Sequence, residues 1–330
     1  MLKLPITLAC GNYDRTAAVG DGRVQIEGCD VTYLPLEPEE IFHRAFRFHE
    51  FDVCELSFSS FLRTVAGGTA AYVGIPAFIS RLFRHSGIYV RTAAGIRAPQ
   101  DLRGKRVGLP EYQITAVVWM RGMLQHEYGV HPSEIHWRSG GQEQPGRQER
   151  TPLKPITNLD LQPIGDDQTL VGMLRAGDLD ALFTARAPSS FIAGEPHIAR
   201  LFADTRAAEI AYYKKTGLFP IMHLVGVRKT LAEQYPWLAT SVYKAFCEAK
   251  ALAMTRLTDV NALAVTLPFL EAETRETMAA MGRDFWRYGV HENLREIEAL
   301  AQYAFEQGLL DRKVKVDELF CSSTLEMSRI

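Results

Sequence analysis

Between residues 79 and 87 the chain reads I-S-R-L-F-R-H-S-G, two arginines and a histidine set between apolar runs at 71–78 and 88–90. Short apolar runs of this kind read as buried strands. Open α/β sheets bind ligands just beyond the ends of their strands. A guanidinium offers a planar fork of donors, so Arg81 and Arg84 suit a carboxylate. An imidazole titrates near neutral pH, so His85 suits proton transfer. The same side chains would also sit comfortably in a solvated loop, because exposed arginine is the norm.

Composition narrows the classes of function. The chain has 330 residues, 47% hydrophobic and 23% charged, enough for two ordinary domains with cores of their own. A formal net charge of −2 provides no basic field for nucleic acid or an anionic membrane, and neither is expected as a partner. No apolar run reaches the ~18 residues of a membrane span. The N-terminal stretch M-L-K-L-P-I-T-L-A-C lacks a secretion-signal core. The five cysteines (Cys10, Cys29, Cys54, Cys247, Cys321) are scattered without metal spacing, so reduced thiols in the cytoplasm are expected. Strings for dinucleotide, P-loop, zinc-protease or serine-elbow sites do not occur. His126, His131 and His136 stand five apart around Pro132, a poor arrangement for a metal. Neither a metal nor an organic cofactor is expected.

Several elements would position these groups. Alternation at Leu2, Leu4, Ile6 and Leu8 predicts a strand, followed by the polar turn G-N-Y-D-R-T. Further strands are expected at 31–36, 51–56, 106–109, 135–138, 161–164 and 223–227. Helices are expected from Pro38 to Phe48, from the serines at 57–60, over 116–127 with Thr115 as cap, and from Asp166 or Asp167 to Leu174. Apolar stripes at 236–256 (including Leu252) and 292–307 (including Leu294) predict two packed helices. Strands alternating with helices give an α/β class. A change of texture near 95 and a helical tail divide the chain into one lobe of 1–95 with 218–330 and an inserted lobe of 96–217. The latter carries an exposed excursion at 139–159.

D-L-R-G-K-R-V-G-L-P at 101–110 and L-R-A-G-D-L-D-A-L-F at 174–183 resemble type II periplasmic-binding-protein folds, in which a ligand sits in a cleft between two lobes. Y-D-R-T at 13–16, I-S-R-L-F-R-H-S at 79–86, G-G-Q-E-Q-P-G-R-Q-E at 140–149 and G-D-L-D-A-L-F-T-A-R-A-P at 177–188 together resemble the 4,5-dihydroxyphthalate decarboxylase family. The resemblance implies loss of one carboxylate from 4,5-dihydroxyphthalate to give protocatechuate in phthalate breakdown, by a cytoplasmic homo-oligomer.

Direct loss of carbon dioxide would leave an aryl carbanion in the ring plane with no resonance stabilisation. Protonating the carboxylate-bearing carbon first, with a para hydroxyl pushing electron density, avoids it. Such a site needs cations for a small-molecule aromatic dicarboxylate, a proton donor, and a group for a phenol. Arg15, Arg81, Arg84 and Arg186 lie at or after expected strand ends and suit the carboxylates. His85 is the first choice of donor and His223 the second, the alternative for His223 being a core histidine satisfied by backbone. Asp14 and Glu111 suit the phenol or the acid role, with capping or solvation as the alternative. Ser57, Ser59 and Thr115 offer hydroxyls near helix starts, and Tyr112 a wall or a packed aromatic. Two other functions fit the same residues: a non-catalytic cytosolic binder of a small aromatic or dicarboxylate anion, and a decarboxylase of another hydroxybenzoate.

Overall fold

The computed structural model describes residues 2–327. The chain begins β1 (Leu4–Cys10), α1 (Asp14–Gly20), β2 (Cys29–Pro35), α2 (Pro38–Phe48), β3 (Val53–Ser57), α3 (Phe58–Ala66) and β4 (Tyr72–Arg81). It continues through β5 (Ile88–Arg91), β6 (Arg106–Leu109), α4 (Thr115–Tyr128), β7 (His136–Ser139), β8 (Leu161–Pro163), α5 (Leu170–Ala176) and β9 (Ala181–Phe183). Then come α6 (Ser189–Ile192), β10 (Ile198–Arg200), α7 (Thr205–Thr216), β11 (Ile221–Arg228), α8 (Lys229–Gln234), α9 (Leu238–Leu257), α10 (Leu270–Met281) and α11 (Leu294–Glu306).

Two compact units result, the first of Met1–Arg81, Ile221–Glu298 and Val314–Ile330, the second of Leu82–Pro220 and Ala299–Lys313. The expected lobe limits at 95 and 217 move. β5 pairs with β9 and β10, so the chain changes sheet at the end of β4, earlier than texture alone implies. Residues 299–313, expected with the first lobe, join the second. A side chain at Gly122 of α4 would collide with the ring of Tyr303, and Gln307 donates to the Val118 carbonyl at 3.0 Å.

The first unit holds a five-stranded sheet in the order β2-β1-β3-β11-β4. β1 runs parallel to β2 and β3, while β11 runs antiparallel to β3 and β4. The C-terminal ends of β1, β3 and β4 and the start of β11 therefore share one edge. β3, V-C-E-L-S, is buried at all five positions. β4 is an edge strand, which tolerates its Pro76. Its pairing with β11 is irregular: Ile221 faces Arg81, His223 faces Ser80, and Val225 faces Ile75. The surplus residues of β4 form a bulge, a device that re-aims side chains beside sites. The freed carbonyls are used, because Pro76 O accepts from Gly289 N at 2.9 Å and Phe78 O from Trp286 Nε1 at 2.9 Å.

The second unit holds a six-stranded sheet in the order β10-β5-β9-β6-β7-β8, with Tyr89, Leu170, Leu174, Leu179 and Leu182 in one of its core clusters. Both sheets are mixed, and the molecule is α/β. Two sequence expectations shift at helix ends. Thr115 is the first residue of α4 and Ile114 its cap, while the α5 cap is Thr169, whose hydroxyl accepts from Gly172 N. The stripe positions Leu252 and Leu294 are 40% and 37% exposed, so the buried faces are narrower than expected. No helix among the described residues is long and apolar enough to cross a membrane.

Candidate active site

At the strand-end edge of the first sheet lies a carboxylate with no solvent exposure. Glu55 is the central residue of β3 and is 0% exposed. Its Oε1 accepts from Tyr13 Oη at 2.8 Å and from His223 Nδ1 at 2.5 Å. Its Oε2 accepts from Gly11 N at 2.8 Å and faces the Cys10 thiol at 3.9 Å. Burial pushes this carboxyl up, but the bond and charge of His223, then Gly11 and Tyr13, outweigh it and hold the group below its ordinary value. Glu55 is thus a buried anion with its lone pairs occupied, the condition under which burying a charge is tolerated.

His223 sits where β11 meets the bulge. Donation from Nδ1 to Glu55 assigns the tautomer and leaves Nε2 as the outward nitrogen. Nε2 makes no bond among the described residues, and the side chain retains 18% exposure. Phe42 of α2 packs its ring against the imidazole at 4.8 Å, fixing the ring plane. The pair has the form of an oriented acid–base histidine, with a carboxylate to steady the imidazolium.

Arg15, in the first turn of α1, is held beside this pair. Its guanidinium carbon lies over the Tyr13 ring, 4.4 Å from the centroid, and over the Trp286 ring, 4.3 Å from the centroid. Nε donates to Ile79 O in the bulge at 2.6 Å, and Nη1 to Asp14 Oδ1 at 3.0 Å. Nη2 makes no bond among the described residues, and the side chain is 18% exposed. A guanidinium held in this way meets a carboxylate in its own plane. Asp14, half exposed, also accepts from Arg15 N at 2.7 Å, which makes it a partner of Arg15 rather than an acid. Burial, then the Glu55 charge, raises the Cys10 thiol, and the same two causes raise the Tyr13 phenol. Both stay protonated, so Cys10 is no thiolate nucleophile.

The other expected residues of this unit are placed differently. Arg81 is fully buried at its side chain and donates to Asn293 Oδ1 at 2.6 Å and Glu296 Oε1 at 3.3 Å. Those bonds commit it to an internal ion pair, and it does not join the Arg15 group. Ser57 caps α3 and Ser59 lies in its first turn, both buried.

The second unit receives the rest. His85 is 1% exposed and packs between the rings of Phe202 at 4.9 Å and Tyr212 at 5.2 Å. Neither ring nitrogen has a hydrogen-bond partner among the described residues, and burial pushes the imidazole down to about 4. His85 therefore has no proton to give near neutral pH, which corrects its ranking above His223. Arg84, half-buried, is pushed down to about 10 by burial, with Glu209 opposing. Glu111, expected as acid or phenol binder, has both oxygens engaged. Oε1 accepts from Arg147 Nη2 at 2.6 Å and Oε2 from Arg150 N at 2.8 Å. It anchors the 139–159 excursion, which is less free than its composition implies. Tyr112 is 0% exposed with the Arg121 guanidinium 3.6 Å from its ring centroid, a core role rather than a wall. Thr115 is buried at the start of α4. Arg186 is exposed, its N–H donating to Thr184 Oγ1 at 3.2 Å.

Tyr13, Glu55 and Trp286 were not among the expected site residues. A glutamate inside the apolar run F-D-V-C-E-L was the available signal for Glu55, since buried strands exclude unpaired charge. No group of three or more His, Cys, Asp or Glu side chains able to hold a metal ion occurs among the described residues. A groove of about 910 Å³ lined by Lys3, Trp237 and Lys244 lies at the start of β1, the opposite edge from Glu55.

Comparison with known proteins fixes the class first. The fold is similar to the periplasmic aliphatic sulphonate binding protein SsuA from Escherichia coli, with TM-score 0.53 over 98% of this chain and 99% of that one, at 12% identity. The chain is thus an α/β protein of the periplasmic-binding-protein type, a likeness of fold alone. No family model matches it. It is 46% identical to the 4,5-dihydroxyphthalate decarboxylase of Comamonas testosteroni over the whole of both chains. It is 44% identical to the protein of the same description from Pseudomonas putida, over 65% of this chain and 83% of that one. The chain belongs to the 4,5-dihydroxyphthalate decarboxylase family.

Proposed function

We propose that this protein is a cytoplasmic carboxy-lyase that converts 4,5-dihydroxyphthalate to protocatechuate in phthalate breakdown, with His223 as the proton donor. The Glu55–His223 pair, set beside Arg15, is the observation that carries the assignment of roles; family membership supports the substrate.

The substrate is symmetric, so its two carboxylates are equivalent, and each has a hydroxyl para to it. Arg15 binds the carboxylate that stays. A cation on the departing one would oppose its loss of charge, stabilising the ground state more than the transition state. The para hydroxyl pushes density onto the carbon that bears the leaving carboxylate. Protonated His223 delivers its Nε2 proton there, while the Glu55 anion holds the ring in place through Nδ1. The C–C bond then breaks, its electron pair returns to the ring, and neutral carbon dioxide leaves. Each turnover consumes one proton, which the partly exposed imidazole regains from solvent. These steps use side chains and substrate only. Self-association belongs to the same reading and is measured by light scattering.

Purified, chelator-treated protein is incubated with 4,5-dihydroxyphthalate, and substrate and product are followed by chromatography. Protocatechuate should form. In D₂O one deuteron should appear at the vacated ring carbon. Tight binding without turnover, with or without divalent ions, would instead make the protein a binder of aromatic dianions. Turnover restored only by a divalent ion would replace the cofactor-free route.

A further inference from the structure

We infer that Tyr13 is a positioning residue that couples carboxylate capture to proton delivery, with Trp286 as the second wall of the carboxylate site. The inference rests on the decarboxylase reading above. Tyr13 is a side chain with two ends in use. Its ring packs against Arg15, the centroid 4.4 Å from the guanidinium carbon. Its hydroxyl donates at 2.8 Å to Glu55 Oε1, the same oxygen that accepts from His223 Nδ1. The group that would hold the substrate carboxylate and the group that would protonate its ring are thus spaced by one rigid aromatic with few torsions. The backbone makes room for it: a Cβ on Gly11 would stand 2.6 Å from Tyr13 Cζ and 2.7 Å from its oxygen.

Trp286 adds a second ring to the arrangement. Its ring lies 4.3 Å from the guanidinium carbon, and its Nε1–H is tied to Phe78 O at 2.9 Å. The bulge of β4 therefore holds Arg15 twice, through Ile79 O on Nε at 2.6 Å and through Phe78 O by way of Trp286. With two rings against it and its Nε held, the guanidinium is fixed in place, and its planar fork suits a planar carboxylate. The two walls differ in what they do next. Trp286 contacts Arg15, in the binding half. Tyr13 also donates to Glu55, the partner of His223. Without its hydroxyl, the link from Arg15 to the Glu55–His223 pair is cut.

Tyr13→Phe, Trp286→Leu and Trp286→Phe test this by steady-state kinetics on 4,5-dihydroxyphthalate across pH. Tyr13→Phe keeps the ring, so KM should stay within about twofold while kcat falls about tenfold or more. Trp286→Leu should raise KM about tenfold, with kcat much less affected, and Trp286→Phe should recover most of the loss. A merely structural role would lower thermal stability without splitting KM from kcat. A Tyr13→Phe variant with the parent's kcat, or a Trp286→Leu variant with the parent's KM, would overturn the inference alone. A parent protein that leaves the substrate unchanged would remove the decarboxylase reading and this inference with it.

Discussion

Glu55 and His223 form a short acid–base pair in which each residue answers a need of the other. The carboxylate is buried and requires a cationic or donor partner; the imidazole requires a fixed tautomer and a counter-charge. Replacing either should damage chemistry more than binding. His223→Gln is expected to lower kcat by about 10²-fold or more, the usual size of a general-acid contribution. Glu55→Gln should lower it less, since the imidazole keeps a weaker partner. Both are checked by kinetics beside circular dichroism that reports an intact fold. Arg81 behaves in the opposite way. Arg81→Met leaves Glu296, among the described residues, with only the more distant cation Arg287 at 3.6 Å, so a loss of about 3 kcal/mol in unfolding free energy is expected, with KM little changed. Denaturant titration measures the first and kinetics the second.

At the scale of elements, the β4 bulge is the feature on which the site depends. It separates His223 from regular pairing, and it frees carbonyls that fasten Arg15 and Trp286. Its upstream end is tied by Gly74, which exchanges backbone bonds with Leu319 and Cys321 at 2.8 and 3.0 Å. A Cβ there would lie 2.6 Å from Leu319 O, a backbone atom that cannot step aside. Gly74→Ala is therefore expected to cost about 1–3 kcal/mol of stability, the range for overpacking. A midpoint in denaturant equal to the parent's would contradict it. The strands themselves were legible from alternation and apolar runs, and α2 begins at Pro38 as its sequence indicates. The bulge was not, because an irregular register depends on which strand lies alongside, and β11 follows β4 by well over a hundred residues.

For the whole molecule, His85 sets a pH dependence of stability. Its folded pKa is about 4, against about 6.5 when unfolded. Above pH 6.5 both states are neutral at this site and it contributes nothing. As pH falls from 6.5 to 4 the unfolded chain binds a proton that the folded chain refuses, so unfolding becomes easier by up to about 3 kcal/mol. His85→Leu should flatten that part of the profile. Thermal unfolding of parent and variant between pH 7 and 5, a range above most carboxylate titration, would show the difference; parallel curves would refute it.

The α/β class, the separation into two units, the identity of most strands and the family were carried by the sequence. Periodicity, turn residues and short local strings encode them without reference to distant residues. The chemistry was also legible as a set of residue types, and Arg15 and His223 were among them. Which members of the set meet was decided only by the tertiary structure. Burial and partners separate His85, neutral in an aromatic cage, from His223, hydrogen-bonded to Glu55; they separate Arg81, bonded inward, from Arg15, held against two rings. Glu55, Tyr13 and Trp286 come from β3, the turn after β1 and the segment after α10. Their meeting depends on long-range pairing in one sheet, and no local window of sequence contains it.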